Sequence, residues 1–226
     1  MDSSFRVWKD IDPDSTASDG FWNGGEPVTV TGSMGSADFG ELVGSAIDDN
    51  YFYLNSKDGA DYTLHIWARD STDFYISDPD PAYSIALGSL GAGGHLFSDG
   101  EYLYVNSNSR VWYLPLATLS TTSTLTEIPD SDYWSSSVEQ VASQNGHLFL
   151  SDKGYHRVLV WEDKGRAMAG EAPDVFLGAT DEDDFGPNIG EKGLFWPSEM
   201  AFEANALWVG EYKFSGRAVR FSPKAP

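Results

Sequence analysis

Ser151-Asp-Lys-Gly-Tyr-His-Arg-Val-Leu-Val-Trp161 is the stretch that decides the fold. A polar turn containing Gly154 runs from Asp152 to Arg157 and feeds a β-branched run, Val158 to Trp161. Just before it lies the apolar run His147-Leu-Phe-Leu150. Two short apolar runs around a glycine-containing turn read as a β-hairpin. A single hairpin says little, but this one recurs.

Working outward, Tyr51-Phe-Tyr-Leu-Asn55, Tyr102-Leu-Tyr-Val-Asn106, His147-Leu-Phe-Leu-Ser151 and Ala206-Leu-Trp-Val-Gly210 superpose without gaps. Their fourth positions, Leu54, Val105, Leu150 and Val209, are 51, 45 and 59 residues apart. Both faces of these runs are apolar, as expected of a strand buried on two sides. Each is preceded by a tight-turn signal: Asp48-Asp-Asn50, Asp99-Gly100, Asn145-Gly146 and Glu203-Ala-Asn205. Asn-Gly and Asp-Gly accept the positive φ angles that two-residue hairpins require. Before those turns come short runs rich in small residues, at 44–47, 93–97, 141–143 and 200–202. These read as innermost strands, where small side chains let several sheets approach a common axis. Third strands follow at 5–8, 64–67, 110–114, 157–161 and 217–221, and outer strands at 27–31, 83–87, 124–128 and 174–177.

Four antiparallel strands per unit, repeated every 45 to 60 residues, is the period of a β-propeller blade. The expected fold is therefore an all-β propeller, one domain over 1–226, with units at 1–32 (in part), 40–89, 91–130, 137–179 and 197–223. A helical solenoid is excluded by the short runs and the missing 3.6-residue period. A two-sheet sandwich is the structural alternative, but nothing in a sandwich requires the same phrase four times.

Three phrases carry a family resemblance: Asp152 to Trp161, Ala172-Pro-Asp-Val-Phe-Leu-Gly178, and Phe195-Trp-Pro-Ser-Glu-Met-Ala-Phe202. They resemble bacterial NHL-repeat β-propellers, best over 145–222 and less over 40–128, where Asn106-Ser-Asn-Ser-Arg110 is a shortened turn. Asp-Phe-Gly triplets at 38–40 and 184–186 fall at matching places after the outer strand. The resemblance implies a ring more often of six blades, whereas four to five are visible here. It implies a fold and not an activity. The outer strand 27–31 is placed to complete the last blade as a clasp, leaving Phe5–Trp8 over. Otherwise the blade edges stay open, and open edges invite pairing with another copy.

The chain has 226 residues, 41% of them apolar and 14% aromatic, enough for a real core. A net charge of −21 argues against nucleic acid or an anionic membrane as partner. It fits simple solubility, a saline habitat or cation binding. No cysteine is present, so disulfide frameworks and thiolate metal sites are excluded. Met1 to Arg6 lacks the apolar region of a signal peptide, and no apolar run is long enough to cross a membrane. An extracellular or periplasmic setting is the working expectation.

Chemistry is thinner than architecture. The four histidines, His65, His95, His147 and His156, fall on different radial positions of a blade, which disfavours a three-histidine zinc site. Asp181-Glu-Asp-Asp184 is the densest acidic run. Asp181, Asp183 and Asp184 are candidate metal ligands, with calcium the ion that several carboxylates favour, and His95 is a candidate facing the channel. The plainer reading is a solvated acidic loop. No Gly-x-Ser-x-Gly occurs, and no helix signal follows Gly91-Ala-Gly-Gly94. Trp22, Trp134, Tyr155, Trp196, Tyr212 and Phe214 fall in connections between strands. Trp134, Tyr155, His156, Trp196 and Tyr212 form the candidate ligand-binding set, set against the alternative that such rings wedge between blades. Two functions are expected from this pattern. One is an interaction module holding a peptide, glycan or protein on one face. The other is a metal-dependent lyase or hydrolase, with His95 and Glu41, Glu139 or Glu199 converging in the central channel.

Overall fold

The computed structural model describes residues 4–7, 28–70, 76, 78–91, 94–107, 110–129, 133–212 and 216–222. The chain is a β-propeller of four-stranded antiparallel blades. Blade one comprises Glu41–Ile47, Tyr51–Asp58, Asp61–Ala68 and Tyr83–Ala86. Blade two comprises His95–Ser98, Tyr102–Ser107, Arg110–Pro115 and Thr126–Glu127. Blade three comprises Val138–Gln144, His147–Asp152, Arg157–Trp161 and Val175–Leu177. Blade four has three described strands, Pro197–Glu203, Ala206–Glu211 and Ala218–Phe221. In each blade, neighbours in sequence are neighbours in the sheet, the arrangement that tight hairpins enforce.

Successive inner strands touch one another, blade one to two, two to three and three to four. Small residues permit this approach. A Cβ built on Gly44 would fall 1.4 Å from the carbonyl oxygen of Gly94, and Gly94 itself has φ +79°. Each interval between blades is filled by its own apolar layer. Tyr53, Leu64, Ile85, Leu103 and Val105 fill the first interval. Tyr104, Val138, Leu150, Leu159 and Trp161 fill the second, and Val158, Val160, Met200, Leu207 and Val209 the third. Second strands contribute to two layers at once, which is why their sequences are apolar on both faces.

A polar hook repeats at the opposite end of the blades from the Asp152 turn. Asp48 accepts the backbone N–H groups of Asn50 and Tyr51, both at 2.8 Å, and the hydroxyl of Tyr53 at 2.6 Å. It also accepts Ser98 Oγ from the next blade. Asp99 repeats the pattern with Glu101 N at 3.0 Å and Tyr102 N at 2.8 Å. Its other oxygen takes Lys164 Nζ, at 2.8 Å, from blade three. Burial raises the pKa of the Tyr53 and Tyr104 hydroxyls, so both stay protonated and donate. At the third interval Asn145 replaces the aspartate, and Phe149 packs edge-on against Phe202 at 5.1 Å instead.

Two features depart from the sequence expectation. Val28–Thr31 does not complete the last blade. It pairs antiparallel with Ser4–Val7, in the register Ser4 to Thr31 and Val7 to Val28. Closing that hairpin joins nearby segments, which costs less chain entropy than a clasp from one end of the chain to the other. Among the described residues the sheets do not close into a ring. The second departure is a short helix, Lys164–Met168, after the third strand of blade three. Asp163 caps it by accepting Gly165 N–H at 2.8 Å, and its Lys164 supplies the hook to Asp99. No helix among the described residues is long and apolar enough to cross a membrane.

Candidate functional site

The candidate face is built by the turns that follow the second strands of blades three and four. In blade three the turn is held from below by a buried carboxylate. Asp152 accepts Ser135 N–H at 3.0 Å, Tyr155 N–H at 3.2 Å and the Ser135 hydroxyl. Burial pushes its pKa up, against the hydrogen bonds from Ser135 and Tyr155 and the charge of Arg157. Arg157 is buried as well. It donates to the carbonyls of Glu182 at 2.6 Å and Tyr133 at 2.7 Å. Its guanidinium lies 4.6 Å from the Phe176 ring centre, 5.0 Å from Phe185 and 5.3 Å from Tyr155.

Blade four repeats the device with Glu211 and Arg217. Glu211 accepts Phe195 N–H at 2.7 Å, and Arg217 Nε at 2.6 Å. Arg217 then reaches the carbonyls of Ile189 at 2.8 Å and Gly193 at 2.9 Å. In both blades a carboxylate ending the second strand and an arginine near the start of the third fix the connection that precedes the blade, and Arg157 also holds the one that follows. Charge-assisted bonds of this kind are about twice as strong as neutral ones. They explain how long connections can present side chains in fixed positions.

What those connections present is a ribbon of rings. Tyr155 packs on Phe185 with centroids 4.3 Å apart. His156 packs on Phe195 at 5.2 Å, Phe195 on Trp196 at 5.2 Å, and Trp196 on Tyr212 at 6.5 Å. Lys153 sits over the Tyr212 ring at 5.5 Å and pairs with Glu139. Phe185 is 44% exposed, Tyr212 47% and neighbouring Ile189 72%. His156 and Trp196 both have positive φ, 56° and 48°, a conformation costing a non-glycine residue about 1–2 kcal/mol. They are joined by a hydrogen bond, Trp196 N–H donating to His156 Nδ1 at 3.1 Å. That acceptor role requires neutral imidazole, and burial lowers the pKa of His156 accordingly, with Asp152 opposing.

The structure therefore brings together Tyr155, His156, Trp196 and Tyr212 from the sequence-derived set. It removes Trp134, which is 8% exposed and packs edge-on against Trp161 in the second core layer. Trp134 lies in a connection, as read, but Ser135 hooks that connection onto Asp152 and so turns the indole inward. Phe185, Ile189, Phe195 and Lys153 were missed. The Asp-Phe-Gly triplet containing Phe185 was visible as a repeat, and nothing marked its ring as a partner of Tyr155. Trp22 and Phe214 lie outside the described residues.

The metal candidates are not assembled. Among the described residues no three His, Cys, Asp or Glu side chains converge. His95 is on the inner strand of blade two, whereas Asp181, Asp183 and Asp184 follow the outer strand of blade three. The acidic run folds on itself: Asp184 accepts Thr180 N–H at 2.9 Å and Thr180 Oγ1 at 3.1 Å, and Asp181 accepts Asp183 N–H at 3.1 Å. These bonds lower the pKa of Asp184, the Thr180 amide contributing most. They turn carboxylate oxygens toward the backbone rather than toward a shared calcium. Of the acids expected in the channel, Glu139 is paired with Lys153.

No family model matches the chain, and no curated protein does. Among solved structures it is similar to the computationally designed Ika4 protein, with a TM-score of 0.51 and 11% identity over 85% of this chain and 98% of that one. It is also similar to a 6-phosphogluconolactonase-like protein from Bacteroides uniformis, with a TM-score of 0.50 and 12% identity over 87% of this chain. The match spans 57% of that protein's length. A protein from Lactobacillus plantarum aligns over 98% of this chain and 67% of its own, with 10% identity and a TM-score of 0.47. At these identities the likeness speaks to fold alone.

Proposed function

We propose that this propeller is an interaction module of the NHL-like type, holding a peptide, glycan or protein on the turn face of blades three and four. The observation that carries this reading is the set of rings on this face, the Tyr155–Phe185 pair and the run from His156 through Phe195 and Trp196 to Tyr212, held by the Asp152–Arg157 and Glu211–Arg217 devices. Rigid exposed rings give large contact area for little lost side-chain entropy. Positive φ at two adjacent ribbon residues, His156 and Trp196, is strain of the kind that gathers at binding sites. The NHL-like assignment is supported by the recurrence of that carboxylate-and-arginine device in the two blades whose sequences resemble the family best.

The alternative, a metal-dependent lyase or hydrolase in the channel, draws support from a fold neighbour described as 6-phosphogluconolactonase-like. No geometry among the described residues favours it over binding. The binding reading is tested by probing peptide and glycan arrays with the purified chain and with the Phe185→Ala, Tyr212→Ala double variant. Retained folding with lost array signals is the expected result. Signals unchanged by the double variant would move the site elsewhere and overturn the reading.

A further inference from the structure

The ribbon contains a cation site that the protein fills with its own lysine. Lys153 lies over the Tyr212 ring at 5.5 Å and forms an ion pair with Glu139. Ring face and carboxylate together are the two elements that recognise an ammonium group. Lys153 itself follows the second strand of blade three on a turn, and its side chain remains 27% exposed. The partners are better fixed. Tyr212 donates its backbone N–H to Trp196 O at 2.9 Å, and Glu139 sits at the register shift of the inner strand of blade three. A short distance along the ribbon, Tyr155 and Phe185 pack around the Arg157 guanidinium. The same surface thus holds cations against aromatic rings twice, once buried and once exposed.

The surroundings favour an incoming cation over a neutral or anionic group. Between residues 181 and 192 the connection beside the ribbon carries Asp181, Glu182, Asp183, Asp184 and Glu191 against Lys192 alone. The whole chain carries −21. Fields of this sign raise the local concentration and association rate of cationic partners. A neutral glycan would have to displace Lys153 from Tyr212 and Glu139 without replacing its charge, whereas a cationic side chain replaces it.

We infer that the partner of this face is a basic peptide segment, one of whose lysine or arginine side chains displaces Lys153 from the Glu139–Tyr212 site. The inference rests on the binding reading above and specifies its ligand. Lys153 then acts as a built-in competitor. Removing its ammonium group empties the site and strengthens binding, whereas removing the ring weakens it.

The experiment uses fluorescence anisotropy of a labelled ten-residue peptide of alternating lysine and glycine, at fixed moderate salt. Four proteins are compared: wild type, Tyr212→Ala, Lys153→Met and Lys192→Met. The last has the same charge change as Lys153→Met and reports general attraction to an acidic protein. Tyr212→Ala is expected to weaken binding about three- to thirtyfold, the range of a cation–ring contact. Lys153→Met is expected to tighten it by more than Lys192→Met does. Equal effects of the two lysine variants, or an unaffected Tyr212→Ala, would overturn the inference. If neutral peptides or glycans still bind the face in that event, the binding reading stands without it. If no ligand class binds, both fall.

Discussion

Gly44 gives the sharpest test of how the blades are packed. Its φ is not in the left-handed region, so any cost of a side chain there is steric. Gly44→Ala would place Cβ 1.4 Å from Gly94 O and 2.6 Å from Gly94 C. Ordinary contacts at such a site begin near 3.4 Å, so the inner strands of blades one and two must part by about 2 Å, and the obstacle is backbone that cannot rotate away. Overpacking costs about 1–3 kcal/mol, and the upper end applies here. In a chain of this size each kcal/mol lowers Tm by about 2–4 °C, so a fall of roughly 6–12 °C is expected. Gly59→Ala is the control: nothing lies within 4 Å of its added Cβ, but φ is +61°. It isolates backbone strain, worth about 1–2 kcal/mol. The assay is a thermal melt followed by near-ultraviolet circular dichroism, which reads aromatic packing. A Gly44→Ala protein melting within about 2 °C of wild type, or above Gly59→Ala, would refute the close approach of the two inner strands.

Two further outcomes follow from the same geometry. Arg217→Met should cost about 3–5 kcal/mol in urea unfolding, because it leaves the buried Glu211 carboxylate without its cation and frees the carbonyls of the 188–193 connection. Adding Glu211→Gln should recover part of that loss, and strictly additive costs would contradict the pairing. Burial lowers the pKa of both His65 and His156, so the folded state prefers neutral imidazole. Their contribution is complete above the unfolded value near 6.5 and is lost as pH falls below it. Melts taken from pH 8 to pH 5 should show falling stability, less steep in His65→Asn, and identical slopes would count against the buried histidine.

Much of the architecture was legible because a blade is a local object. Tyr51–Asn55, Tyr102–Asn106, His147–Ser151 and Ala206–Gly210 superpose because each second strand is covered on both faces, and the turn residues before them are demanded by tight hairpins. Outer strands were harder to bound: Thr126–Glu127 is two residues long, and so short a strand leaves little pattern to read. The helix Lys164–Met168 escaped because five residues are too few for a helical period. The site was legible as a list of connection aromatics but not as a surface. Whether Trp134 or Phe185 faces solvent depends on which connection Asp152, Arg157, Glu211 and Arg217 tie down, and those are contacts between residues far apart in sequence. Asp181, Asp183 and Asp184 looked like ligands for the same reason. Composition gives their charge, while the amides of Thr180 and Asp183 decide where their oxygens point.

Blades three and four present an exposed set of aromatic rings, while the connection tryptophan Trp134 is part of the core. Hydroxyl-radical footprinting of the folded chain, read by mass spectrometry residue by residue, tests this without any ligand. Phe185 and Tyr212 are expected to oxidise rapidly, Tyr155 and Trp196 at an intermediate rate, and Trp134 and Trp161 to be protected despite the high intrinsic reactivity of indole. Trp134 oxidised as fast as Tyr212, or Phe185 and Tyr212 protected, would contradict this arrangement.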